Sequence, residues 1–319
     1  MIVCKFGGSA TTKIEAIENI KKLSQDDRRK VFVFSALGKE NNFDKKITDI
    51  LIEITQNKNI KKNKKILFEK FNKLKNKLNI KINAKKIINK YINEFLISKD
   101  AQCLISKGEY ITSLFMAKYL NIKFIPAEKL IYFQNNKINY KKIKNKLNYF
   151  INKYNKIVTC GFYGINEFGE IELFSRGGSD ITGAILSKCL GAKIYENWTD
   201  VCGVMQVNPN IIVSKQIKKM SYFDLDIMTS YDANVIHNSC VQILSNTGIV
   251  LKIGNIFDIS DKPTTVVDNY PKVKFVSYYI KDKYAYIIYY NNNFELVCQR
   301  CATNNYMAII TKIYQNAIE

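Results

Sequence analysis

A glycine-rich turn between a strand-like run and a helical pattern constrains this chain more than any other feature. Residues 174–183 read Phe-Ser-Arg-Gly-Gly-Ser-Asp-Ile-Thr-Gly, and apolar residues at helical spacing follow them. The two glycines have no Cβ, so the backbone can approach a ligand closely. Free amides at the start of the helix favour an anion there, while Arg176 adds a planar cation and Asp180 an acceptor. The structural alternative is a Gly-Gly turn in which Asp180 caps a helix.

A second glycine-rich turn stands at the start of the chain. Residues 2–9 read Ile-Val-Cys-Lys-Phe-Gly-Gly-Ser, and an amphipathic helical pattern follows over 14–23. The spacing matches neither a Walker A loop nor a dinucleotide-binding fingerprint. The residues therefore predict a phosphate-binding turn with a lysine just before its glycines.

The segments next to this turn predict an α/β fold. Residues 2–6 and 31–35 are short apolar runs, and the helical pattern at 14–23 lies between them. Such a βαβ unit implies parallel strands joined by a right-handed crossover. Ligands of open parallel sheets bind beyond the carboxyl ends of the strands. The loop that leads from residue 35 to Thr48 is therefore expected to face the same crevice as Lys5.

The two turns together, Lys5–Ser9 and Ser175–Asp180, resemble the two signature motifs of the amino acid kinase family. Two further stretches, Tyr195–Val201 and Val235–His237, narrow the resemblance to the aspartate kinase branch of that family. The motifs occur in the family's order, and the resemblance covers roughly residues 1–268. It implies an α/β catalytic domain over this range, built on an open, mainly parallel sheet that helices flank.

Residues 269–319 are expected to form a separate β-rich region. Strand-like runs occupy 272–280, 284–290, 294–298 and 307–312. In aspartate kinases, the resemblance implies two regulatory ACT modules at this place, and the segment is too short to hold both. We interpret it as a β-rich remnant resembling a truncated ACT region, with an edge that pairs across a homodimer.

The resemblance also implies a reaction. The γ-phosphoryl group of ATP, accompanied by Mg²⁺, would pass to the β-carboxylate of L-aspartate. The product, 4-phospho-L-aspartate, leads toward lysine, threonine and methionine. A carboxylate acceptor is already ionised at neutral pH, so no general base is required. Catalysis would then depend on positioning and on neutralising the phosphate charge.

The family's site residues can be carried over where the motifs match. The implied set is catalytic Lys5 and Asp180, aspartate-binding Thr48, Glu109 and Arg176, and ATP-binding Lys5, Gly7, Gly8, Ser9, Thr199 and Asp200, with no metal ligand among the protein residues. Lys5 would contact the β- and γ-phosphates, and Asp180 would orient Lys5 and face the magnesium-bound phosphates. Glu109 would bind the substrate's ammonium group and Arg176 its α-carboxylate.

Three residues of this set, and His237 outside it, also have purely structural interpretations. Thr48 could cap a helix, Glu109 could be a solvated acid in the first turn of a helix, and Asp200 could cap a turn. The only histidine, His237, falls on a helix predicted at 235–244 and is interpreted as a packed core residue.

Two positions depart from the family pattern. Many members carry Asp-Pro-Arg after the nucleoside loop, where residues 208–210 read Asn-Pro-Asn, and Asn234 stands where many carry a lysine. Losing both cations predicts weaker ATP binding or a degenerate kinase, whereas the aspartate-binding residues are all kept. Two alternatives therefore stay open: a kinase of another small amino acid such as glutamate, and a weakly active subunit that partners a full-length aspartate kinase.

Composition limits the partners and the compartment. The net charge of +21 comes mostly from lysines interleaved with asparagine and isoleucine, which indicates solvated helix faces rather than a nucleic-acid stripe. No apolar run is long enough to span a bilayer, and no signal-peptide pattern follows Met1. The eight cysteines are scattered, as is typical of reduced cytosolic thiols. We expect a cytoplasmic protein with small-molecule substrates and neither a nucleic-acid nor a membrane partner.

Overall fold

A computed structural model describes residues 1–41, 43–174, 177–231, 235–291 and 293–317. The strands are β1 Ile2–Phe6, β2 Arg29–Phe34, β3 Lys123–Phe124, β4 Phe133–Gln134, β5 Lys137–Ile138, β6 Ile157–Cys160, β7 Tyr163–Ile165, β8 Ile171–Leu173, β9 Ile194–Thr199, β10 Lys219–Ser221, β11 Val250–Asn255, β12 Thr264–Val267, β13 Val276–Lys281, β14 Tyr284–Tyr290 and β15 Leu296–Ala302. The α-helices are α1 Ile14–Ser24, α2 Ile47–Thr55, α3 Ile60–Leu78, α4 Ala84–Ser98, α5 Ala101–Leu120, α6 Tyr140–Tyr154, α7 Gly178–Leu190, α8 Tyr222–Ser230, α9 Asn238–Leu244 and α10 Tyr306–Ala317.

An eight-stranded sheet organises the larger part of the chain. Its strand order is β10-β12-β11-β9-β1-β2-β6-β3, and β11 with β12 is its antiparallel pair. The strands β1 and β2 pair in parallel with α1 between them, as the apolar runs at the start of the chain predict. The predicted α/β class with a mainly parallel sheet is therefore confirmed.

Helices cover both faces of this sheet. The apolar residues of α1 to α5 pack on one face, and those of α6 to α9 pack on the other. The central strand β1 is consequently buried at all of its residues, which explains why it is apolar except for Lys5. No helix in the described part of the chain is both long and apolar enough to cross a bilayer.

The C-terminal unit, residues 276–317, has a different architecture. Strands β13, β14 and β15 form an antiparallel sheet, and α10 packs against β13 and β14. The strand predicted at 307–312 is wrong, because these residues belong to α10. Ile310 and Tyr314, four residues apart, are both buried on one side of that helix. A short apolar run does not distinguish a strand from a buried helix segment, and the tertiary contact decides between them.

Candidate active site

A polar cleft of about 420 Å³ opens where β1, β2 and β9 end. It is lined by Lys5, Gly8, Ser9, Ser35, Ala36, Leu37, Gly38, Lys39, Lys46, Thr48, Glu109, Phe162, Gly177, Gly178, Ser179, Asp180 and Asp200. The two glycine-rich turns thus meet in one cleft, together with the loop after β2. Parallel strands place their carboxyl ends on the same edge, which is why distant segments converge here.

Lys5 and Asp180 form an ion pair inside this cleft. The Lys5 Nζ lies 2.7 Å from Asp180 Oδ1, and both side chains are largely buried. Asn197 joins the two, because its Oδ1 accepts from Lys5 Nζ at 3.3 Å and its Nδ2 donates to Asp180 Oδ1 at 3.0 Å. An ammonium group has three N–H donors, so this arrangement leaves Lys5 one donor for a ligand in the cleft.

The first turn presents backbone amides beside Lys5. The Gly7 amide already donates to the Trp198 carbonyl at 3.0 Å, so it continues the strand pairing of β1 with β9. Neither the Gly8 nor the Ser9 amide donates to another residue in the described ranges. Both therefore stay available to an anion, whereas the Gly7 amide is engaged in this strand pairing. The ATP-binding role predicted for Gly7 stays a prediction.

A buried polar cluster beneath the cleft holds the strands that carry it. Glu196 accepts from Arg29 Nε at 2.8 Å and Nη2 at 2.9 Å, and from the Trp198 indole at 3.0 Å. The Cys4 thiol also donates to Glu196, and burial raises the pKa of that thiol well above its usual range. Because these residues belong to β1, β2 and β9, the cluster ties the three strands together below Lys5 and Asn197.

The second turn begins α7 at the other side of the cleft. Gly177 has a φ of +75°, and a Cβ at this position would overlap His237. His237 directly precedes α9 rather than lying on it, and its amide donates to Asp180 Oδ2 at 3.3 Å. Asp180 is the third residue of α7 and makes no capping bond, so the cap interpretation is wrong. Ser175 and Arg176 lie outside the described residues, and the role predicted for Arg176 stays a prediction.

Glu109 is a buried carboxylic acid in the middle of α5. The helix begins at Ala101 with Asp100 as its cap, so the interpretation of Glu109 as a solvated first-turn acid is wrong. The residue is only 6% exposed, yet it lines the cleft, and its Oε2 has no hydrogen-bond partner among the described residues. Burial raises the pKa of Glu109 to about 8, although the Ala36 amide opposes the shift. A ligand that brought a positive charge would compensate this carboxyl group.

The remaining predicted residues fall at two places. Thr48 lines the cleft as the second residue of α2, and Lys46 occupies the capping position that was the alternative for Thr48. Thr199 is the last residue of β9, so most of the Tyr195–Val201 motif belongs to the strand and only Asp200 and Val201 follow it. The Thr199 hydroxyl donates to Asp200 Oδ1 at 3.1 Å, and Asp200 lines the cleft.

A second cavity of about 250 Å³ lies next to the cleft. Val201 follows Asp200 and lines this cavity, as does Val235, two residues before His237. Its other lining residues are Gly203, Met205, Val207, Asn208, Pro209, Asn210, Met228, Val276, Ser277 and Tyr278. The lining is mainly apolar with a few amide and hydroxyl groups, which is typical of a pocket for a flat organic group. Asn234 lies outside the described residues.

Sequence reasoning missed several residues of the cleft. Asn197 pairs in register with Lys5 on the neighbouring strand, and only the β1–β9 pairing reveals that they meet. Lys39 and Lys46 add two exposed cations to the lining. A signal for Lys39 exists, because it directly follows Ser35-Ala36-Leu37-Gly38, the run that comes after β2.

The family follows from these features and from a comparison with known proteins. A model of the amino acid kinase family matches residues 1–255, which include both glycine-rich turns, Lys5, Glu109 and Asp180. The chain therefore belongs to the amino acid kinase family. This range ends at the last residue of β11, before the C-terminal unit begins.

Similar proteins within that family are aspartokinases. Aspartokinase 3 of Bacillus subtilis is 27% identical over 84% of this chain and 63% of its own length. The aspartokinase of Bacillus sp. strain MGA3 is 26% identical over 79% of this chain and 55% of its own length. The crystal structure of Clostridium acetobutylicum aspartate kinase matches with a TM-score of 0.79 and 31% identity, over 87% of this chain and 66% of that one. The chain thus spans between about half and two thirds of these relatives.

Proposed function

We propose that this protein is an aspartate kinase, which transfers the γ-phosphoryl group of ATP to the β-carboxylate of L-aspartate. One observation carries the proposal most directly. Glu109, a buried acid without a cationic partner among the described residues, shares a cleft with the Lys5–Asp180 pair and two glycine-rich turns. A cleft with anion-binding turns and one uncompensated carboxyl group suits a phosphate donor and a substrate that carries an ammonium group.

Each predicted residue has a part in this proposal. Glu109 receives the ammonium group of aspartate, which restores charge balance to a carboxyl group that burial otherwise keeps protonated near neutral pH. Arg176 binds the α-carboxylate through its two-pronged guanidinium, and Thr48 adds a polar contact from the start of α2. The β-carboxylate of the substrate then lies between Glu109 and the phosphate-binding turns.

Charge neutralisation is the main contribution of the protein to the transfer. Lys5 contacts the β- and γ-phosphates, while Asp180 and Asn197 hold its ammonium group in one position. The amides of Gly8 and Ser9 donate to the transferring group. The attacking carboxylate is ionised at neutral pH, so no residue has to remove a proton from it.

ATP and Mg²⁺ are the cofactors of the proposed reaction. Asp180 and Asp200 bring two carboxylates to the cleft, and among the described residues no group of three or more acidic, histidine or cysteine side chains is arranged to hold a metal ion. This donor set suits Mg²⁺, which proteins usually hold through one or two carboxylates together with substrate phosphates. When bound, the ion would offset phosphate charge next to Lys5.

The second cavity offers a place for the nucleoside. It begins at Val201, directly after Thr199 and Asp200, which we predict to hold the ribose and base. Its apolar lining suits a flat heterocycle, whereas the cleft, with its lysines and amides, suits the phosphates.

The proposal extends to the setting of the enzyme. We expect a catalytic domain over 1–268, a region resembling part of an ACT unit over 269–319, and a homodimer. A cytoplasmic location is supported by eight cysteines that are all unpaired.

An assay for acyl phosphates tests the proposal. Hydroxylamine converts an acyl phosphate into a hydroxamate, so the purified protein is incubated with ATP, Mg²⁺, hydroxylamine and one amino acid at a time. We expect ATP-dependent hydroxamate with L-aspartate and little with L-glutamate. A preference for glutamate would indicate the related kinase, and no product with any amino acid would contradict the proposed activity.

A further inference from the structure

We propose that the C-terminal unit, residues 276–317, is a working part of the nucleotide site, because it forms one wall of the second cavity and holds the hairpin that forms another. The hairpin in question comprises residues 204–217. This inference rests on the proposed nucleotide binding and adds a role for residues that lie beyond the part matched by the family model.

The wall comes from the first strand of the unit. Val276, Ser277 and Tyr278 of β13 line the cavity together with Val201 and Met205. Residues of the catalytic part, which is the proposed domain over 1–268, and of the C-terminal unit therefore enclose the same space. A base placed there would touch both.

The hairpin is held at its base by Thr264, whose hydroxyl bonds Val204 and Ile217, and the C-terminal unit holds it further along. Two backbone hydrogen bonds lie within the hairpin: the Ile217 amide donates to the Val204 carbonyl at 2.8 Å, and the Gln206 amide donates to the Lys215 carbonyl at 3.0 Å. Two further bonds come from the unit: the Val276 amide donates to the Gln206 carbonyl at 2.8 Å, and the Tyr314 hydroxyl accepts from the Lys215 amide at 3.3 Å. A two-stranded hairpin is marginal alone, so such outside contacts are needed to hold it.

Apolar packing strengthens this connection. Val207 of the hairpin is 2% exposed, and it is buried in one cluster with Val276, Ile287, Ile310 and Tyr314 of the C-terminal unit. The Val207 side chain is thus a core residue of the unit although it belongs to the hairpin. The same hairpin carries Asn208, Pro209 and Asn210, which line the cavity.

A separate set of contacts joins the unit to α8, on another side of the cavity. The Ser277 hydroxyl donates to the Tyr231 carbonyl at 2.9 Å, just after α8 ends. The Tyr290 hydroxyl donates to Asp224 Oδ1 at 2.8 Å, and Asp224 is fully buried. The unit is therefore fixed to the catalytic part at two places, with the cavity between them.

A change that loosens this unit should weaken nucleotide binding and spare the aspartate site around Glu109.

The first test uses the full chain without mutation. Amide hydrogen exchange is followed with and without a non-hydrolysable ATP analogue and Mg²⁺. We expect the analogue to slow exchange in residues 276–278 and 204–210 as well as in the turn at 7–9. Protection of the turn alone would overturn this inference and leave the proposed function standing, whereas no protection anywhere would contradict nucleotide binding itself.

The second test uses variants and equilibrium binding of the same analogue. We expect Val207→Ala and Ser277→Ala to raise the dissociation constant of the analogue at least fivefold, with the Michaelis constant for aspartate changed less than twofold. Met307→Ala, at an exposed position of α10, is the matched control and should bind like the wild type. Folding of each variant is checked by circular dichroism. If the folded Val207→Ala and Ser277→Ala proteins bound the analogue as tightly as the control, the unit would have no part in the site.

Discussion

At the scale of single residues, Lys5, Asp180 and Asn197 define the centre of the cleft. The ammonium and carboxylate groups are 2.7 Å apart, and the Asn197 amide contacts both. Each partner comes from a different element, namely β1, α7 and β9. The position of the Lys5 ammonium group therefore depends on how these three elements pack. A substitution at Asp180 or Asn197 should affect the reaction by displacing that group.

Replacing Lys5 and Arg176 should separate the two substrates kinetically. Lys5→Ala should lower kcat by roughly a hundredfold or more, because it removes charge stabilisation from the transferring phosphoryl group. Arg176→Ala should raise the Michaelis constant for aspartate by a factor equivalent to about 2–3 kcal/mol, since a charge-assisted bond to the α-carboxylate is lost. Arg176→Lys should recover only part of this, because an ammonium group lacks the planar fork.

Steady-state kinetics in each substrate measure these effects, with folding checked by circular dichroism. Damage to ATP binding by Arg176→Ala, with aspartate binding unchanged, would mean that the two substrates occupy the cleft in the opposite orientation.

Asn197 should act as a positioning residue. Asn197→Leu removes both amide contacts but keeps the ion pair, so we expect kcat to fall about tenfold, with both Michaelis constants changed much less. Asn63 is a matched control, because its amide is also buried and hydrogen-bonded, to Glu53 and the Lys58 carbonyl, outside the cleft. Asn63→Leu should reduce stability and leave kcat unchanged. Equal effects of the two variants on kcat would show that Asn197 serves only folding.

The buried acid Glu109 makes stability depend on pH. Its pKa is about 8 in the folded protein and near 4.5 when unfolded, so the folded state binds the extra proton between these values. Stability without substrate should therefore be lost as the pH rises from about 4.5 to about 8. Glu109→Gln removes this loss, and its gain in unfolding free energy over the wild type should grow to the order of 3–5 kcal/mol at pH 9.

Urea denaturation at pH 5, 7 and 9 measures the difference. Glu53 provides the opposite case, because the Lys45 ammonium group lowers its pKa, so Glu53→Gln should give no gain at high pH. A constant difference between wild type and Glu109→Gln across the pH range would mean that Glu109 titrates normally.

At the scale of elements, the cleft depends on how turns and helix starts face one another. The first glycine turn packs against the loop after β2, since the Gly38 amide donates to the Gly8 carbonyl at 3.0 Å. The second turn packs against the segment before α9, where Gly177 leaves room for His237. The hairpin at 204–217 completes the neighbouring cavity from the side.

The hairpin also contains Asn210, which stands where many family members carry an arginine. Restoring a cation at this position tests whether its loss weakens ATP binding. Asn210→Arg should lower the Michaelis constant for ATP roughly tenfold, about 1–2 kcal/mol for one charge-assisted contact, and leave that for aspartate nearly unchanged. Asn293→Arg, in the turn between β14 and β15, adds the same charge away from the cavity and serves as the control. No change with Asn210→Arg would indicate that Lys39 or Lys46, which line the cleft, already supplies the charge.

At the scale of the whole molecule, the C-terminal unit leaves one strand edge uncovered. In the described residues β15 pairs with β14 alone, and most of its side chains are exposed, including Leu296 at 48%. An edge of this kind is a template for pairing with another chain. By contrast, α10 and the hairpin at 204–217 pack against the apolar residues of β13 and β14.

We therefore expect a homodimer that forms through β15. Light scattering after size exclusion should give twice the chain mass for the wild type. Leu296→Lys, which places a charge on the edge, should shift the mass toward the monomer, whereas Met307→Lys on α10 should not. A dimer that persists in Leu296→Lys would place the interface on another surface, and a monomeric wild type would contradict the expected assembly.

Much of the part matched by the amino acid kinase family, residues 1–255, could be predicted because its signals are local. A glycine pair between a strand and a helix requires a close backbone approach, and two such turns with Lys5 and Asp180 indicate an anion site before any contact is known. β1 is apolar except for Lys5, and residues 31–34 of β2 are all apolar, which indicates strands covered on both faces; these residues are buried in the structure. Glu109 was identified through the resemblance, while its place within α5 was predicted wrongly because Asp100 begins the helix earlier.

What the sequence alone determined is therefore the α/β class, the two glycine turns and the chemistry they favour. Only the tertiary structure decided that Asn197 meets Lys5, because that depends on the register of two strands distant in the chain. Packing likewise decided that residues 307–312 form a helix and that residues 276–278 line a cavity together with residues between Val201 and Val235. Local patterns reflect preferences of neighbouring residues, whereas these contacts join segments far apart in sequence and arise only when the core closes.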